Sequence, residues 1–323
     1  MFMEIWERPS ARRSLFFILI YLSLLSIDFS SFYDESTNFI FGVTAQIELT
    51  RSLIAAGIVL NFVLISRLPK RIQLYVTWAE LLILFLYFFY SFDLSYKYIW
   101  ERLPHLLGFG LKNGFLMGTA LTLFMCVISI AASTILALVA ALARLSNNGI
   151  ALGIATFYIS FFRGTPLILQ ILLIYIGLPQ IGIILNPIPA AIIALSLCYG
   201  AYMAEIFRAG IQAIPAGQGE AARALGLKDG QIMRLVILPQ AIRLIIPPTG
   251  NQFIAMLKDS ALVATLGAWE LMYMARLHGR AEFKNMEMMI TAALIYWMLS
   301  MSMEYFQAKI ERKFGKGIDV NSV

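Results

Sequence analysis

Eight apolar stretches, each about as long as a membrane-spanning helix, constrain this sequence more than any other feature. A bilayer core of about 30 Å requires roughly 20 consecutive apolar residues in a helix. Hydrophobic residues make up 60% of the 323 residues and charged residues only 14%, which is too much apolar surface for one soluble core. We therefore predict an all-α integral membrane protein with about eight transmembrane helices, near residues 14–30, 46–66, 73–92, 115–143, 150–178, 187–213, 240–266 and 285–307.

The cations at the ends of these stretches predict the orientation of the chain. They precede the first span, fill the turn after the second and follow the last: Arg8, Arg12, Arg13, Arg67, Lys70, Arg71, Lys309, Arg312, Lys313 and Lys316. Because loops rich in Lys and Arg stay in the cytoplasm, both termini are expected there. Topology then explains the excess of 25 basic over 19 acidic residues, and a nucleic-acid partner is not indicated.

A change of composition near Ser91 predicts the domain organisation. The first three spans contain few polar residues, whereas Gly, Pro and charged residues interrupt the five that follow. The segment between these groups mixes aromatic and charged residues, which is typical of a helix in the outer membrane interface. We therefore expect an accessory three-helix region over 1–92, an interfacial linker helix over 93–114, a five-helix core over 115–308 with a loop at 215–239, and a basic cytoplasmic tail over 309–323.

The loop between the sixth and seventh spans has the pattern of a polar helical hairpin, GQGEAARALGLKDGQIMRLVILP over residues 217–239. A first helix is expected to begin near Gln218 and to end at Gly226, and Asp229 is expected to cap a second helix. Pro239 would then begin the next span. Small residues on one face of this hairpin would let the surface of another protein approach closely.

This hairpin resembles the EAA loop of permease subunits of binding-protein-dependent ABC importers. Val236 stands where the family has Ile, and the matching residues are Glu220, Ala221, Ala222, Gly226, Leu238 and Pro239. Two further segments resemble the permeases for polar amino acids, of the histidine and glutamine type: FFRGTPLILQ at 161–170 and YGAYMAEIFRAGIQAI at 199–214. The resemblance begins near Gly110 and leaves out the first three spans.

The resemblance implies a type I importer core that moves polar amino acids across the bacterial inner membrane by alternating access. In that family the loop is a coupling helix seated in a cytoplasmic ATPase. The resemblance therefore implies a role in ATPase coupling for Glu220, Ala221, Ala222, Ala224, Leu225 and Gly226. The implied partners are a dimer of ABC ATPases, a periplasmic or extracellular amino-acid-binding protein, and a second permease that is identical or related. ATP and magnesium would bind the ATPase, because this sequence lacks a G-x-x-x-x-G-K-[ST] loop; no cofactor, metal or catalytic residue is expected in it.

Two coupling residues also have a purely structural explanation. A carboxylate such as that of Glu220 in the first turn of a helix is stabilised by the helix dipole, by about 0.3 to 1 kcal/mol. Gly226 would end the helix with or without a partner protein.

Ionisable residues inside the spans are candidates for a transport path, because burying them in lipid is costly. Tyr202, Glu205 and Arg208 follow one another at intervals of three residues, close to one face of a helix. One interpretation is that Glu205 meets the ammonium group of an amino acid on this face. The alternative is that Glu205 and Arg208 pair with each other and hold the helix.

Two interrupted helices supply the remaining candidates. Thr165 and Pro166 follow Arg163 and should break the fifth span, so that Arg163 either lines the path or anchors the helix to phosphates. Pro247 and Pro248 should kink the seventh span, after which polar residues form either a gate or contacts between helices. The candidate substrate path therefore comprises Tyr202, Glu205, Arg163, Asn251, Lys258 and Asp259.

Three other functions are consistent with parts of the pattern. An ion-coupled secondary amino acid transporter would use Glu205 and Asp259 to carry protons. A membrane enzyme would need a base near Ser260, but the histidines, His105 and His278, fall in predicted outer loops. A membrane anchor that only recruits an ATPase would need the hairpin but no path.

Overall fold

The described part of the chain is almost entirely helical. A computed structural model describes residues 16, 18–24, 43–92, 94–108 and 116–314. Within these residues no strand is formed, and an isolated bridge joins Gly118 to Glu270. Six described helices are long and apolar enough to cross a membrane, or seven if one bent pair counts as a span. The prediction of an all-α membrane protein is therefore confirmed; most of the predicted span 14–30 lies outside the described residues, apart from helical positions over 18–24.

The described residues group into two compact units that divide after Asp93. In the first unit, α1 (Val43–Ser66) and α2 (Lys70–Tyr90) form a hairpin of two spans. The amide of Gln73 donates to the carbonyl oxygens of Ser66 and Leu68 at 3.2 and 2.7 Å, which satisfies backbone acceptors in the turn. No side chain of α2 is buried.

The second unit contains the other numbered helices. Several of them are short, and the long ones carry the apolar surface expected of spans. In order they are α3 (Tyr96–Leu107), α4 (Gly118–Leu145), α5 (Gly149–Gly164), α6 (Leu167–Leu172), α7 (Pro187–Gln212), α8 (Ala216–Ala224), α9 (Asp229–Ile232), α10 (Leu238–Asp259), α11 (Leu271–Ala281) and α12 (Asn285–Phe314).

Small residues bring α4 and α7 together in the centre of the second unit. Ala137 and Ala204 are fully buried between them, and the Ser133 hydroxyl donates to the carbonyl oxygen of Ser196 at 3.1 Å. A Cβ atom at Gly200 of α7 would lie 3.0 Å from the Cβ atom of Leu136 on α4 and 2.5 Å from the hydroxyl of Tyr158 on α5. Close backbone approach and hydrogen bonds between helices replace the hydrophobic effect, which lipid does not provide.

A second apolar cluster joins α3 to α11 and α12, with Leu106, Leu271 and Met288 fully buried. Beside it, the buried carboxylate of Glu270 caps α11 by accepting hydrogen bonds from the backbone N–H groups of Met272 and Tyr273, at 2.9 and 2.7 Å. The N-terminal residues of α11 are thereby held against the rest of the unit. Helix α3 lies within the segment that the sequence predicts as an interfacial helix.

Two boundaries differ from the sequence predictions. The predicted span 150–178 is two helical segments, Gly149–Gly164 and Leu167–Ile181, bent by 108°. The second helix of the loop begins at Asp229 with Lys228 as the preceding residue, so Asp229 lies inside the helix; its carboxylate instead accepts from Arg223 at 3.0 Å. An aspartate near a helix start can be either the capping residue or the first residue of the helix, and the sequence pattern does not distinguish these two positions.

Candidate functional site: a polar cavity and the loop hairpin

The break between α5 and α6 is stabilised by one buried amide. Thr165 is extended, and Pro166 has no N–H to continue the helix. Gln170, which is 3% exposed, donates to the carbonyl oxygens of Phe162 and Thr165 at 2.9 and 3.1 Å. These are carbonyl groups that the broken helix leaves without their usual partners, so the bend is kept at low cost in lipid.

A polar cavity of about 410 Å³ lies where this break meets the end of α10. Its volume is within the usual range for small-molecule sites. We call it the central cavity, and its lining residues are Thr165, Pro166, Leu167, Cys198, Tyr199, Tyr202, Gln252, Ala255 and Asp259. The break and α10 therefore bring together candidates that are almost a hundred residues apart in sequence.

One acidic group and one basic group are associated with this cavity. The Tyr199 hydroxyl donates to an Asp259 carboxylate oxygen at 2.7 Å, which orients the carboxylate. The Arg163 guanidinium lies over the ring of Tyr202, 5.5 Å from its centroid, a distance at which a cation is attracted by the aromatic face. The cavity thus offers an anion on one wall and a stacked cation near another.

Glu205 has a different set of contacts and does not line the central cavity. One of its carboxylate oxygens pairs with Arg144 of α4, and the other accepts from Arg208 at 2.9 and 3.1 Å. Pairing with Arg208 is one of the two interpretations that the sequence allows, whereas pairing with Arg144 is not apparent from it. The two arginines link the C-terminal ends of α4 and α7 through a single carboxylate.

The two other candidates on α10 are separate from the cavity. The Asn251 amide oxygen accepts from Gln307 of α12 at 2.8 Å, so it connects two helices. Lys258 is exposed, and it is absent from the cavity lining. Of the six path candidates, the structure places Tyr202 and Asp259 in the cavity wall and Arg163 against Tyr202.

The predicted coupling residues lie on and just after α8. Ala222 is buried and faces the rest of the unit, whereas the side chain of Leu225 is 83% exposed. Glu220, Ala221 and Ala224 are also exposed. Gly226 has a φ of +80°, a conformation that ends helices and that residues with a Cβ atom rarely adopt. The hairpin therefore presents an acidic group, two alanines and one exposed leucine on its outer surface.

Three residues of structural or chemical importance were missed from the sequence. Tyr199 stands one helical turn before Tyr202, and that spacing alone could have placed it on the same face. Gln170 ends the quoted FFRGTPLILQ motif, but its bonds to the break depend on the bend. Arg144 lies near the end of an apolar span, where an arginine ordinarily extends its charged group toward water. The sequence therefore gives no sign that it pairs with Glu205.

The two histidines pair with each other outside the cavity. His105 of α3 and His278 of α11 have ring centroids 5.3 Å apart, and neither lines the central cavity. Burial lowers the pKa of His278 below its ordinary value, and the nearby Arg102 and His105 lower it further. Within the described residues, no group of three potential ligands is placed to hold a metal ion.

Comparison with known proteins places this helical unit among transport proteins. Residues 133–316 match the family described as the inner membrane component of binding-protein-dependent transport systems. The arginine transport system permease protein ArtQ of Bacillus subtilis is 42% identical over 199 residues, which cover 61% of this chain and 91% of ArtQ. The L-cystine transport system permease protein TcyB of the same species is 37% identical, over 62% of this chain and 86% of TcyB.

A solved structure agrees with these sequence relatives. It is described as an amino acid ABC transporter with histidines, and one of its chains is 35% identical to this one with a TM-score of 0.63. The match covers 68% of this chain and 99% of that chain. The similarity thus takes in almost the whole of that transporter chain and leaves about a third of this chain without a counterpart.

Proposed function

This chain belongs to the family of inner membrane components of binding-protein-dependent transport systems, and we propose that it is the permease subunit of an ATP-driven importer of polar amino acids. Arginine and cystine transport are the functions named for two relatives that it covers over most of their length. The observation that carries the proposal for this chain is the central cavity, where a carboxylate and a guanidinium accompany three hydroxyl-bearing side chains.

The charges around the cavity match the two charged groups of an amino acid. Asp259 lines the cavity, and an ionised carboxylate can accept hydrogen bonds from an ammonium group. We assign the substrate ammonium to Asp259 and the substrate carboxylate to Arg163, with Tyr199 and Tyr202 as the cavity wall between them. The role of Glu205 keeps two interpretations: it contacts the substrate, or it only pairs with the arginines.

Energy would reach the cavity from outside the chain. In this proposal a dimer of cytoplasmic ABC ATPases closes on ATP and magnesium and moves the exposed face of α8 and its C-cap, which carries Glu220, Ala224 and Leu225. The movement would rock two permeases, identical or related, between inward-open and outward-open states while an external binding protein delivers the amino acid. Inner-membrane placement with both termini cytoplasmic would put the hairpin on the side where the ATPase is.

The domain boundaries follow the same proposal. Residues 115–308 would form the importer core with the coupling loop at 215–239. Residues 1–92 would be an accessory membrane region, 93–114 an interfacial linker and 309–323 a cytoplasmic tail. The relatives that match from the core onward give no role for the accessory region.

Uptake by proteoliposomes tests the proposal. The complex that co-purifies with the chain from mild detergent, with its binding protein added outside the vesicles, should accumulate a labelled polar amino acid when ATP is enclosed with the ATPase, and not when only an ion gradient is applied. We expect Asp259→Asn to reduce uptake at low substrate concentration by roughly 10- to 100-fold, because a hydrogen bond to a charged group contributes about 1.5 to 3 kcal/mol.

Tyr199→Phe is the matched control, since it removes the hydroxyl that orients Asp259 but keeps the carboxylate, and its loss should be several-fold smaller. Uptake that needs an ion gradient and no ATPase would make the chain a secondary transporter. Unchanged uptake in Asp259→Asn would remove the assignment of the ammonium site and leave the importer class standing.

A further inference from the structure

The two histidines of the sequence meet at a contact between α3 and α11. The chain contains no others, and the ring centroids of His105 and His278 are 5.3 Å apart although the residues come from distant parts of the sequence. Both side chains are half-buried, so protons from the solution can reach them. Neither α3 nor α11 is among the described helices that are long and apolar enough to span a membrane. We call this meeting of the two helices the histidine contact.

Three residues of α3 contact α11 along one face. Tyr98, Arg102 and His105 are spaced by four and three residues, which places them on the same side of a helix. The Tyr98 hydroxyl donates to the backbone carbonyl oxygen of His278 at 2.7 Å, and the Arg102 guanidinium pairs with Glu282 at 2.6 Å. The contact therefore places one cation and one anion beside two imidazole rings.

Each imidazole has one buried nitrogen without a hydrogen-bond partner among the described residues. These atoms are Nδ1 of His105 and Nε2 of His278. A neutral imidazole can leave its unprotonated nitrogen at such a position, whereas a protonated ring carries an N–H group on both nitrogens. Protonation would thus place a charged donor where no acceptor is available, which is costly in a buried position. The contact is therefore suited to the neutral form of both rings.

The charges of α3 and α11 oppose protonation of the rings. The charged groups that act on His278 are Arg102, His105 and Glu282. Because the Glu282 carboxylate already pairs with Arg102, the contact has no net charge while both imidazoles are neutral. It gains two positive charges when both are protonated, and like charges at this distance disfavour each other.

The other elements packed against α3 supply little counter-charge. Glu287 of α12 pairs with Lys284 and accepts from the backbone N–H of Ser95, both at 3.4 Å. Glu101 on α3 is exposed to solvent. Helix α4 contains no charged residue before Arg144, near its far end. Within the described residues, Glu282 is thus the carboxylate that acts on the histidine contact.

We infer that the histidine contact is a pH-sensitive switch: two neutral imidazoles hold α3 against α11, and acidification charges both rings and separates the helices. Histidine pairs suit this role because their ordinary titration lies near physiological pH. In the orientation proposed above, α11 lies on the outer side, so the switch responds to the external pH. A short segment, Ser260–Leu266, connects α11 to Asp259 of the central cavity, so the separation would also lower uptake.

The sign of the pH dependence follows from the same contacts. Burial, Arg102 and His105 lower the pKa of His278 below its ordinary value of 6.5. Because the separated state then binds protons more readily than the closed one, the contact is fully stable above pH 6.5 and loses stability as the pH falls through the lowered pKa. This direction is opposite to the one expected for a buried carboxyl group.

Spin labels on the two helices test the switch by electron paramagnetic resonance. They are attached at Trp100→Cys and Leu277→Cys, which replace exposed side chains, in a full-length chain that has Ala at the two natural cysteines. In the intact complex in lipid, we expect a short, uniform distance between the labels at pH 8 and a longer, broader distribution at pH 5, with a midpoint below pH 6.5. The measurement does not require transport activity.

Variants of the two rings separate charge from packing. His105→Gln/His278→Gln is neutral at both pH values and should keep the pH 8 distance at pH 5. His105→Phe keeps a ring in place and removes one like charge, so the midpoint should rise toward 6.5. Equal distances at pH 8 and pH 5 in the otherwise unchanged chain would overturn the proposal, and so would an equal separation in the double glutamine variant.

Arg276→Gln/Arg280→Gln is the matched control. These arginines stand two residues before and after His278, so they lie on another side of α11, and the variant should show the same pH response as the unchanged chain. A midpoint shifted by this variant would contradict the assignment of the response to the contact with α3.

Uptake provides a second measurement, which rests on the proposed function. Proteoliposomes at external pH 5 should lose several-fold more of their pH 8 uptake with the wild-type chain than with His105→Gln/His278→Gln. The same loss in both would overturn the link between the contact and transport. Absence of ATP-driven uptake at pH 8 would instead contradict the importer assignment, and the label distances would still test the switch.

Discussion

At the scale of single residues, charged groups in this protein separate into those that face a cavity and those that hold helices together. Asp259 belongs to the first class, with one tyrosine as its partner. Glu205 has contacts of the second class, because two arginines share its carboxylate. Both are acidic residues at membrane depth in the sequence, and only their three-dimensional neighbours distinguish them.

The Glu205 network allows its two interpretations to be separated by charge. Glu205→Gln should lower the unfolding free energy by about 1 to 3 kcal/mol and reduce transport, because Arg144 and Arg208 lose their counter-charge. If the role is only pairing, removing all three charges in Arg144→Gln/Glu205→Gln/Arg208→Gln should restore both thermal stability and uptake. We expect this restoration, measured by thermal denaturation and proteoliposome uptake.

The opposite result is equally informative. A triple variant that regains stability while uptake remains lost would place Glu205 in the substrate path. The single variant Arg208→Gln serves as a control for the loss of an arginine alone.

The buried carboxyl group of Glu270 is expected to make the stability of the fold depend on pH. Burial raises its pKa from 4.5 to about 7, although the N–H groups of Met272 and Tyr273 and the Tyr296 hydroxyl act in the opposite direction. Because the folded-state pKa lies above the unfolded one, this group stabilises the fold fully below about pH 4.5, and the contribution is lost as pH rises through 7. Since the pKa rises from 4.5 to about 7 on folding, the lost contribution amounts to roughly 3 kcal/mol.

Glu270→Gln cannot titrate, so the difference in unfolding temperature between it and the wild type should change between pH 5 and pH 8. Relative to the variant, the wild type should be more stable at pH 5 than at pH 8. Glu282→Gln, on an exposed carboxylate just after the same helix, should show a smaller change. If wild type and Glu270→Gln differ by the same amount at both pH values, the raised pKa is contradicted.

At the scale of elements, the α8–α9 hairpin depends on the backbone conformation at its turn. Gly226 has a φ of +80° and open space around its Cβ position, so a substitution is opposed by backbone strain and not by a clash. A β-branched residue there costs about 1 to 3 kcal/mol. Gly226→Val should therefore misplace the hairpin and lower uptake roughly tenfold or more per ATP hydrolysed by the reconstituted complex.

Gly217→Ala provides the control within the same hairpin, because its added Cβ atom also meets no neighbour and its φ is ordinary. This variant should transport at the wild-type rate. A fully coupled complex carrying Gly226→Val would show that the shape of the turn is unimportant for coupling.

Element boundaries also show what sequence reasoning can and cannot provide. Hydrophobic length predicts the long helices because lipid thickness sets their size, and the pattern Gly-Thr-Pro predicts a break in the fifth span. The bend of 108° and its stabilisation by Gln170 depend on how α6 packs against α7. No local pattern carries that information.

At the scale of the whole molecule, the site is assembled from residues distant in sequence. Arg163 and Asp259 are singled out in the sequence because a charge stands near a helix break, and Tyr202 because it shares a helical face with Glu205 and Arg208. Their proximity follows from the packing of α6 and α10 against α7, which apolar periodicity does not specify. Lys258 and Asn251 are equally good candidates in the sequence. Their side chains point in other directions from α10, so they do not line the central cavity.

The family match covers residues 133–316, within the second unit, and leaves the α1–α2 hairpin outside. The match to the solved amino acid transporter spans 99% of that chain but 68% of this one. About a third of this chain therefore has no counterpart in that transporter chain. In the hairpin, Glu80 on α2 accepts a hydrogen bond from Asn61 of α1 at 2.9 Å, a polar contact that joins these two helices.

Coupling to a cytoplasmic ATPase requires that the α8–α9 hairpin face the cytoplasm. Lys228→Cys, in a chain whose buried Cys126 and Cys198 are replaced by Ala, can be treated with a membrane-impermeant thiol reagent in intact cells and in inverted membranes. The account predicts labelling in inverted membranes and none in intact cells. Labelling in intact cells would place the hairpin outside, where a cytoplasmic ATPase cannot reach it, and would contradict the assignment as an importer permease.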